Sequence, residues 1–521
     1  MKKNLEGFSL KTILIFILCI GLFNFFSKKS NQSEIHELID LIHTKYVDEI
    51  SREELKQKII KSALSELDPH SSFISKKELS LVNESMQGHF SGIGVSFRII
   101  EDTICIISVI NNGPSMKKGI LAGDKIIKVD NKLFVGDFLS NDTVMRKLKG
   151  VSGSEVFLTI KRPRQDSLLN FNIKRGYVEM SSIDAALEIN SKFSYIRINR
   201  FSSNTYAEFM KAVSKIDITK EKKIILDLRS NPGGVLGDCY KVAEEFFDKG
   251  DLIFYTENRK NNSRKFKSGK NGFLNKNDVF VLIDENSASA SEIIAGAIQD
   301  NDRGVIIGRR TFGKGLVQEQ FELTNGSAVR LTTQKYFTPS GRLIQKPYKG
   351  FSLEQEKILN NIASGKILNL DSINFLDSVT FKTKKGRTVY GGGGIFPDVF
   401  VYPDTSNIDG FERGEIYLEI LNYHMQNYIL NHFDLDKIKS NYNINTFAIE
   451  FELTKTEINV LEKYYNKKNV QENYVFFNTE EEKVIKKYIK TKIAEMIWGN
   501  NGLHRCLIEE DLYIKKIKQL Y

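Results

Sequence analysis

Residues 284–318 have the sequence DENSASASEIIAGAIQDNDRGVIIGRRTFGKGLVQ and follow the apolar run Val279–Ile283. This pattern predicts a buried strand, a turn of small residues, a helix and a second apolar strand over Val305–Gly308. The turn carries Ser289, and the second strand leads into Lys314 between two glycines. A serine and a lysine therefore lie at the ends of two neighbouring strands, which predicts a serine–lysine hydrolytic site.

Strands and helices alternate on the N-terminal side of this stretch. The predicted elements are strands at Phe193–Ile198 and Lys223–Asp227, helices at Thr205–Ile216 and Val235–Phe247, and a polar basic loop at Asn258–Asn277. Such alternation favours a sheet covered by helical layers, so we predict a mixed α/β core over residues 179–404. Residues 405–521 carry helical periodicity and predict a mainly helical extension.

The composition sets limits on the class of protein. The chain has 521 residues, with 41% hydrophobic and 27% charged residues, which predicts several globular domains. The net charge of +10 is spread among many acidic residues without a nucleic-acid motif, so we expect no nucleic-acid partner. The four cysteines contain no C-x-x-C pair and predict neither a disulfide framework nor a zinc site; they are Cys19, Cys105, Cys239 and Cys506.

The N-terminus has the pattern of an export signal. Lys2, Lys3 and Lys11 precede a nearly unbroken apolar run at residues 12–26, and no small-residue cleavage site follows it. We therefore predict that residues 1–30 form an uncleaved signal anchor in the inner membrane, with a cleaved signal peptide as the alternative. Either form places the rest of the chain in the cell envelope or periplasm. Residues 31–87 carry helical spacing and predict an N-terminal helical region.

Residues 88–178 carry short strands and turns, beginning with a predicted strand at Gly92–Phe97. With the Gly113-Pro114 turn and the helix Asp142–Leu148, this segment resembles a PDZ domain over nearly its whole length. The resemblance implies that a peptide C-terminus binds as an added strand. The residues implied in that binding are Gly92, Ile93, Gly94, Val95, Met145 and Leu148, although Met145 and Leu148 also suit core positions.

Histidine is absent where a catalytic triad would need it. None of the seven histidines lies between residues 90 and 423, so we expect no Ser-His-Asp triad in this segment unless a flanking region supplies the histidine. A lysine can act as the base if burial lowers its pKa, which can amount to about 3–5 units. A serine at a helix N-terminus, as predicted for Ser289, gains stabilisation of developing negative charge.

Four ordered motifs carry a family resemblance. They are SASASE at residues 287–292, TFGKGLVQ at 311–318, DLRSNPGG at 227–234 and YFTPSGR at 336–342. Together they resemble the C-terminal processing, or tail-specific, peptidases, which are secreted serine proteases with an embedded PDZ domain. The resemblance covers residues 33–404. In that family the lysine follows the nucleophilic serine by 25 positions, which selects Ser289 over Ser287 and Ser291.

The resemblance also implies the fold and the remaining site residues. The expected fold is a crotonase-like or Clp-protease-like α/β protease core with an inserted PDZ β-sandwich or barrel and the C-terminal helical extension. Gln318 is expected to orient the lysine amine, and Asp300 is either part of a charge relay or structural. The oxyanion hole is expected to combine Ala290 with Gly233 or Gly234, and the sequence leaves the choice of glycine open.

The function expected from these features is that of a serine endopeptidase of the cell envelope. It recognises the C-terminal tails of exported proteins and cleaves peptide bonds with a Ser-Lys dyad, without a metal or organic cofactor. The alternative is a catalytically silent PDZ scaffold that binds peptides. Peptide substrates are the main expected partner, and an envelope adaptor protein, the membrane and a second copy of the chain are further candidates.

Overall fold

The computed structural model describes residues 34–100, 102–110, 112–162, 165, 167–219, 221–348, 380–402, 428–429, 432–468 and 479–521. The predicted signal anchor at residues 12–26 lies outside these ranges. Within them, no helix is both long enough and apolar enough to cross a membrane.

The described residues form 14 helices and 21 strands. The helices are α1 (Glu34–Lys45), α2 (Arg52–Ser65), α3 (Lys76–Gln87), α4 (Pro114–Lys117), α5 (Asn141–Leu148), α6 (Thr205–Val213), α7 (Leu236–Glu244), α8 (Ala290–Asp300), α9 (Leu435–Asn441), α10 (Ile444–Glu450), α11 (Lys455–Lys468), α12 (Thr479–Trp498), α13 (Asn500–Glu510) and α14 (Leu512–Leu520). The strands are β1 (Ser72–Ile74), β2 (His89–Gly92), β3 (Val95–Ile100), β4 (Thr103–Val109), β5 (Lys125–Val129), β6 (Lys132–Leu133), β7 (Glu155–Lys161), β8 (Leu168–Lys174), β9 (Gly176–Glu179), β10 (Ile183–Glu188), β11 (Phe193–Ile198), β12 (Lys223–Asp227), β13 (Leu252–Asn258), β14 (Ser263–Lys267), β15 (Val279–Ile283), β16 (Gly304–Gly308), β17 (Leu316–Glu322), β18 (Ala328–Phe337), β19 (Thr380–Lys382), β20 (Thr388–Tyr390) and β21 (Val399–Phe400).

The described chain divides into two compact units. The smaller unit comprises the residues up to Lys76 together with Glu319–Thr332, and the larger comprises Lys77–Gln318 with Thr333–Tyr521. In the smaller unit α1 and α2 precede β1, which pairs antiparallel with residues 328–330. The buried Asp68 carboxylate accepts hydrogen bonds from the backbone N–H groups of His70 and Ser71, which fixes the turn after α2.

A six-stranded sheet forms the core of the larger unit, in the order β10-β11-β12-β15-β16-β21. The pairs from β11 through β21 are parallel, and only β10 runs antiparallel. Alternate side chains of each strand face two different cores, as in a doubly covered sheet. Helices α6, α7 and α8 contribute residues to one core, and helices α13 and α14 contribute residues to the other. The predicted mixed α/β core is thereby confirmed.

The segment predicted to be a PDZ domain forms a separate sheet in the order β3-β4-β5-β7-β8, with β6 beside β5. The predicted strand at Gly92–Phe97 is wrong in its extent. Gly94 has a φ of +76°, and the chain breaks there between β2, which pairs with β9, and β3, which pairs with β4. Strand β3 lies at the edge of its sheet, which leaves one side available for an added strand.

Helices continue to the C-terminus and confirm the predicted helical extension. A third apolar core joins α10, α11 and α12 around Phe447, Leu461 and Ile489. Helix α13 reaches the edge of the core sheet, where the Asn501 side chain accepts a hydrogen bond from the backbone N–H of Ala186. The predicted loop at Asn258–Asn277 is wrong in part, because Ser263–Lys267 forms β14 and pairs with β13. The domain boundaries stay predictions.

Candidate active site

Three loops that carry predicted site residues begin at the carboxyl ends of neighbouring strands of the core sheet. Strands β12, β15 and β16 are parallel neighbours, with Asp227 opposite Leu282 and Ile283 opposite Gly308. Their carboxyl ends therefore lie side by side, which is where α/β sheets commonly bind ligands. The loops that follow are residues 228–235 after β12, 284–289 after β15 and 309–315 after β16.

Ser289 occupies the turn between β15 and α8. It is the N-cap residue of α8 and has a φ of +56°, a strained value for a residue other than glycine. Its two neighbouring serines are fully buried and act within the structure: the Ser287 hydroxyl donates to Leu228 O at 2.8 Å, and the Ser291 hydroxyl donates to Asn231 O at 3.0 Å. Ser289 is partly exposed, so it is the member of this run that can meet a substrate.

Lys314 lies in the loop after β16 and is half-buried. Its Nζ donates to Gln318 Oε1 at 2.8 Å, so the structure brings these two predicted site residues together. The loop is joined to the serine turn, because the backbone N–H of Phe312 donates to Ser287 O at 3.0 Å. Gly313 has a φ of +88°, which allows the sharp turn that precedes the lysine.

Glu292 connects the serine turn to the lysine loop through one buried carboxylate. Oε2 accepts hydrogen bonds from the backbone N–H groups of Ser289, at 2.8 Å, and Lys314, at 2.9 Å. Those two nitrogens therefore lie less than about 6 Å apart. Oε1 accepts from Thr311 Oγ1 at 2.6 Å and from the Gly313 N–H at 2.7 Å. Burial raises the pKa of Glu292, and the four donors reduce that rise without reversing it.

The loop after β12 turns against Ser289. A Cβ on Gly233 would lie 2.8 Å from Ser289 Cβ and 2.9 Å from the backbone nitrogen of Ala290, so only glycine allows this approach. The Gly233 N–H already donates to Asn231 Oδ1 at 2.9 Å. Gly234 has a φ of +144° and lies against Phe201, whose backbone N–H donates to Gly233 O.

Asn231 holds this turn in place and is fully buried. Besides accepting from Gly233, its side chain donates to Ile198 O at 2.8 Å, at the end of β11. Its backbone carbonyl accepts from the Ala288 N–H at 3.0 Å, on the serine turn. One asparagine therefore connects the end of β11, the glycine turn and the serine turn.

Asp300 lies at the opposite end of α8 from Ser289, at a distance of about 16 Å for a helix of this length. Its carboxylate pairs with Arg342 at 2.5 Å and accepts from the Ser340 hydroxyl at 2.6 Å. Both side chains of the ion pair are fully buried. The structure does not bring Asp300 to the serine and the lysine, and its position favours the structural interpretation over a charge relay.

The residues predicted to bind a peptide differ in their burial and in their position in the fold. Ile93 and Leu148 are buried in the core of the small sheet, whereas Met145 on α5 is 39% exposed. Gly92 ends β2 and forms a bridge with Lys149, just after α5, and Gly94 lies at the break before β3. Val95 begins the edge strand β3 and is partly buried. Strand β3 leaves an exposed sheet edge, to which an extended peptide can add as a further strand.

Comparisons with known proteins agree with this geometry. Residues 192–351 match the model of peptidase family S41, and residues 91–174 match a PDZ domain model. A carboxy-terminal-processing protease of Bartonella bacilliformis is 34% identical over 59% of this chain and 71% of its own length. A probable CtpA-like serine protease of Staphylococcus epidermidis is 32% identical over 65% of this chain and 69% of its own.

The chain belongs to peptidase family S41, the carboxy-terminal-processing proteases. As a member of this family it is a serine-type peptidase with a PDZ domain. Among solved structures it is similar to a photosystem II D1 C-terminal processing protease, with 24% identity and a TM-score of 0.38 over 73% of this chain and 90% of that one.

Two residues of the candidate site, Glu292 and Asn231, were not predicted from the sequence. The spacing Ser289-x-x-Glu292 matches a capping box at a helix start, which could have indicated that the glutamate bonds back to Ser289. That motif could not have predicted the contacts with Thr311 and Gly313, because they depend on how β15 and β16 pair. For Asn231, a turn residue separated from Gly233 and Gly234 by Pro232, the sequence carried no signal of a role beyond the turn.

Proposed function

We propose that this S41 peptidase cleaves peptide bonds with Ser289 as nucleophile and Lys314 as general base. The observation that carries the proposal is the shared Glu292 carboxylate, which bonds the backbone of both residues and so sets the serine turn against the lysine loop. The Gln318 side chain, which accepts from Lys314 Nζ at 2.8 Å, orients the amine.

In the proposed mechanism a neutral Lys314 amine takes the proton of the Ser289 hydroxyl as the oxygen attacks the scissile carbonyl carbon. Backbone N–H groups of Ala290 and Gly234 stabilise the resulting oxyanion. Gly234 is the better candidate of the two glycines because the Gly233 N–H is already bound to Asn231. The lysine then gives its proton to the leaving amine, and a water activated by Lys314 hydrolyses the acyl-enzyme.

The substrates we propose are proteins recognised through their C-termini. The PDZ match and the open edge of strand β3 support this selection. A terminal carboxylate would bind near Gly92 and Gly94, with Met145 contacting the last side chains. Export to the cell envelope and anchoring by residues 12–26 belong to the proposal, as do an adaptor protein and a dimer.

The central test is cleavage of a model protein with an apolar C-terminal tail. Ser289→Ala should abolish cleavage, and Lys314→Met should lower kcat by at least roughly 1,000-fold near neutral pH, because each removes one half of the dyad. Both variants should bind the tail as tightly as the parent chain, measured by fluorescence anisotropy. Ser287→Ala is the matched control and should keep measurable turnover.

Two outcomes would overturn the proposal. Turnover that persists in purified Ser289→Ala would show that another nucleophile acts. Tail binding by the parent chain without cleavage of any tailed substrate would favour the scaffold interpretation.

A further inference from the structure

The C-terminal helix α14 lies beside the loops of the proposed active site. Its apolar residues Ile514 and Ile517 belong to the core on one face of the sheet, together with Leu282 of β15 and Ile307 of β16. Asp511 caps the helix by accepting from the backbone N–H groups of Tyr513 and Ile514. Core packing thus fixes the helix, and its polar N-terminal end faces the carboxyl edge of the sheet.

Arg229 is the first contact between this helix and the active-site loops. It is two residues before Asn231, in the loop that carries Gly233 and Gly234. Its Nη2 lies 2.8 Å from an Asp511 carboxylate oxygen and 2.6 Å from Asp227 at the end of β12.

The aromatic ring of Tyr513 contacts the same guanidinium group. The Arg229 guanidinium carbon lies 4.4 Å from the centre of the ring. One end of the glycine turn is therefore held between its own strand and α14.

Arg309 is the second contact, at the start of the lysine loop. Its Nη1 donates to the Tyr513 hydroxyl at 2.6 Å, and its Nε donates to Glu285 at 2.7 Å, on the serine turn. The preceding residue, Gly308, makes this approach possible: a Cβ there would lie 2.7 Å from a ring carbon of Tyr513. The tyrosine thus contacts the loops after β12 and β16 at once.

We propose that Asp511 and Tyr513 are positioning residues for catalysis. They act through Arg229 and Arg309 to hold the glycine turn and the lysine loop at the separation that the reaction needs. This inference rests on the proposed roles of Ser289 and Lys314. It assigns a role to the C-terminal end of the chain, which lies beyond the matched peptidase segment.

The effect should fall on the chemical step. Neither residue contacts the PDZ sheet through these bonds, so tail binding should be unaffected. A displacement of reacting groups by about 1 Å can cost roughly 100-fold in rate, even when the mutated residue is remote. Each arginine keeps a carboxylate partner, Asp227 for Arg229 and Glu285 for Arg309, so the loops loosen without unfolding.

The test uses substitutions that preserve shape. Asp511→Asn removes the charge opposite Arg229 but retains a good helix cap, and Tyr513→Phe removes the hydroxyl bound to Arg309 but keeps the ring. Each should lower kcat roughly 5- to 30-fold, and the double variant roughly 100-fold, with KM changed less than about twofold. The controls are Lys515→Ala and Lys518→Ala, on the exposed face of α14.

Three further readouts separate positioning from folding. The labelling rate of Ser289 by a fluorophosphonate should fall in parallel with kcat. The acidic limb of the kcat/KM profile should shift in Tyr513→Phe, because the environment of the base changes with its loop. Thermal unfolding should differ from the lysine controls by only a few degrees.

The outcomes distinguish a failure of the positioning role from a failure of the proposed catalytic function. If the parent chain cleaves, Ser289→Ala does not, and the Asp511 and Tyr513 variants match the lysine controls, the positioning role is wrong. A loss of kcat explained entirely by the unfolded fraction would also overturn it. If Ser289→Ala itself keeps full activity, the error lies in the proposed nucleophile.

Discussion

Helix α8 carries a buried carboxylate near each end, and the two differ in their partners. Glu292, in the first turn, accepts four hydrogen bonds from uncharged donors on the serine turn and the lysine loop. Asp300, in the last turn, forms an ion pair with Arg342 and accepts from Ser340. The first carboxylate joins two loops at the proposed site, whereas the second neutralises a buried arginine. Burial of an acid therefore does not by itself indicate catalysis.

Of the two carboxylates, Glu292 is expected to have the larger effect on activity when it is replaced. In Glu292→Gln the side-chain oxygen can accept from Ser289 and Lys314, and Thr311 can turn to accept from the new amide group. The Gly313 N–H then faces an N–H donor and stays buried without an acceptor, which displaces the lysine loop. We expect kcat to fall roughly 100-fold with KM little changed, measured by steady-state cleavage of a tailed substrate.

A Glu292→Asp variant sharpens this test, because it keeps the charge but shortens the reach. It should lose activity as well, since its oxygens cannot reach all four donors. Parent-like kcat in Glu292→Gln would mean that the serine and lysine keep their geometry without the shared carboxylate.

The matched change at the other end of the helix should act on stability. Asp300→Asn leaves Arg342 buried with a neutral partner, so the free energy of unfolding should fall by about 3–5 kcal/mol. The kcat of the molecules that remain folded should stay within about threefold of the parent value. Urea denaturation followed by active-site titration with a fluorophosphonate separates these two quantities. If kcat per titrated site falls as far as in Glu292→Gln, Asp300 belongs to a charge relay and the comparison fails.

Three strands of the core sheet were predictable because apolar residues make up most of each: Val279–Ile283 is wholly apolar, and Phe193–Ile198 and Lys223–Asp227 contain two polar or charged residues each. Phe193–Ile198, Lys223–Asp227 and Val279–Ile283 have the bounds expected from sequence. The extent of the strand predicted at Gly92–Phe97 was wrong because the break depends on the positive φ of Gly94, which the alternation of residue types does not reveal.

The site was predictable only where its residues are near in sequence or matched by a motif. The bond between Lys314 and Gln318 joins residues on one segment and follows the expected order. The salt bridge between Arg229 and Asp511 joins segments that meet only after the sheet and the C-terminal helices have packed. Local sequence patterns do not predict such a contact, so the role of α14 could be inferred only from the structure.

The smallest effect expected from the comparison is a pH dependence of stability at Glu292. Burial raises its folded-state pKa above the ordinary value of 4.5. Between those two values the folded chain holds a proton that the unfolded chain has released, so the free energy of unfolding falls as pH rises through this window. The stabilising contribution is complete below pH 4.5 and is lost as pH passes the raised pKa.

Glu292→Gln removes this titrating group, so the variant serves as the reference for the parent chain. Urea unfolding of both chains, each carrying Ser289→Ala to prevent self-cleavage, should show the parent losing stability relative to the glutamine variant as pH rises above 4.5. A constant difference across that range would mean that the four donors cancel the cost of burial. Glu292 would then bind its loops as an ordinary ionised carboxylate, and its contrast with Asp300 would lie only in the charge of their partners.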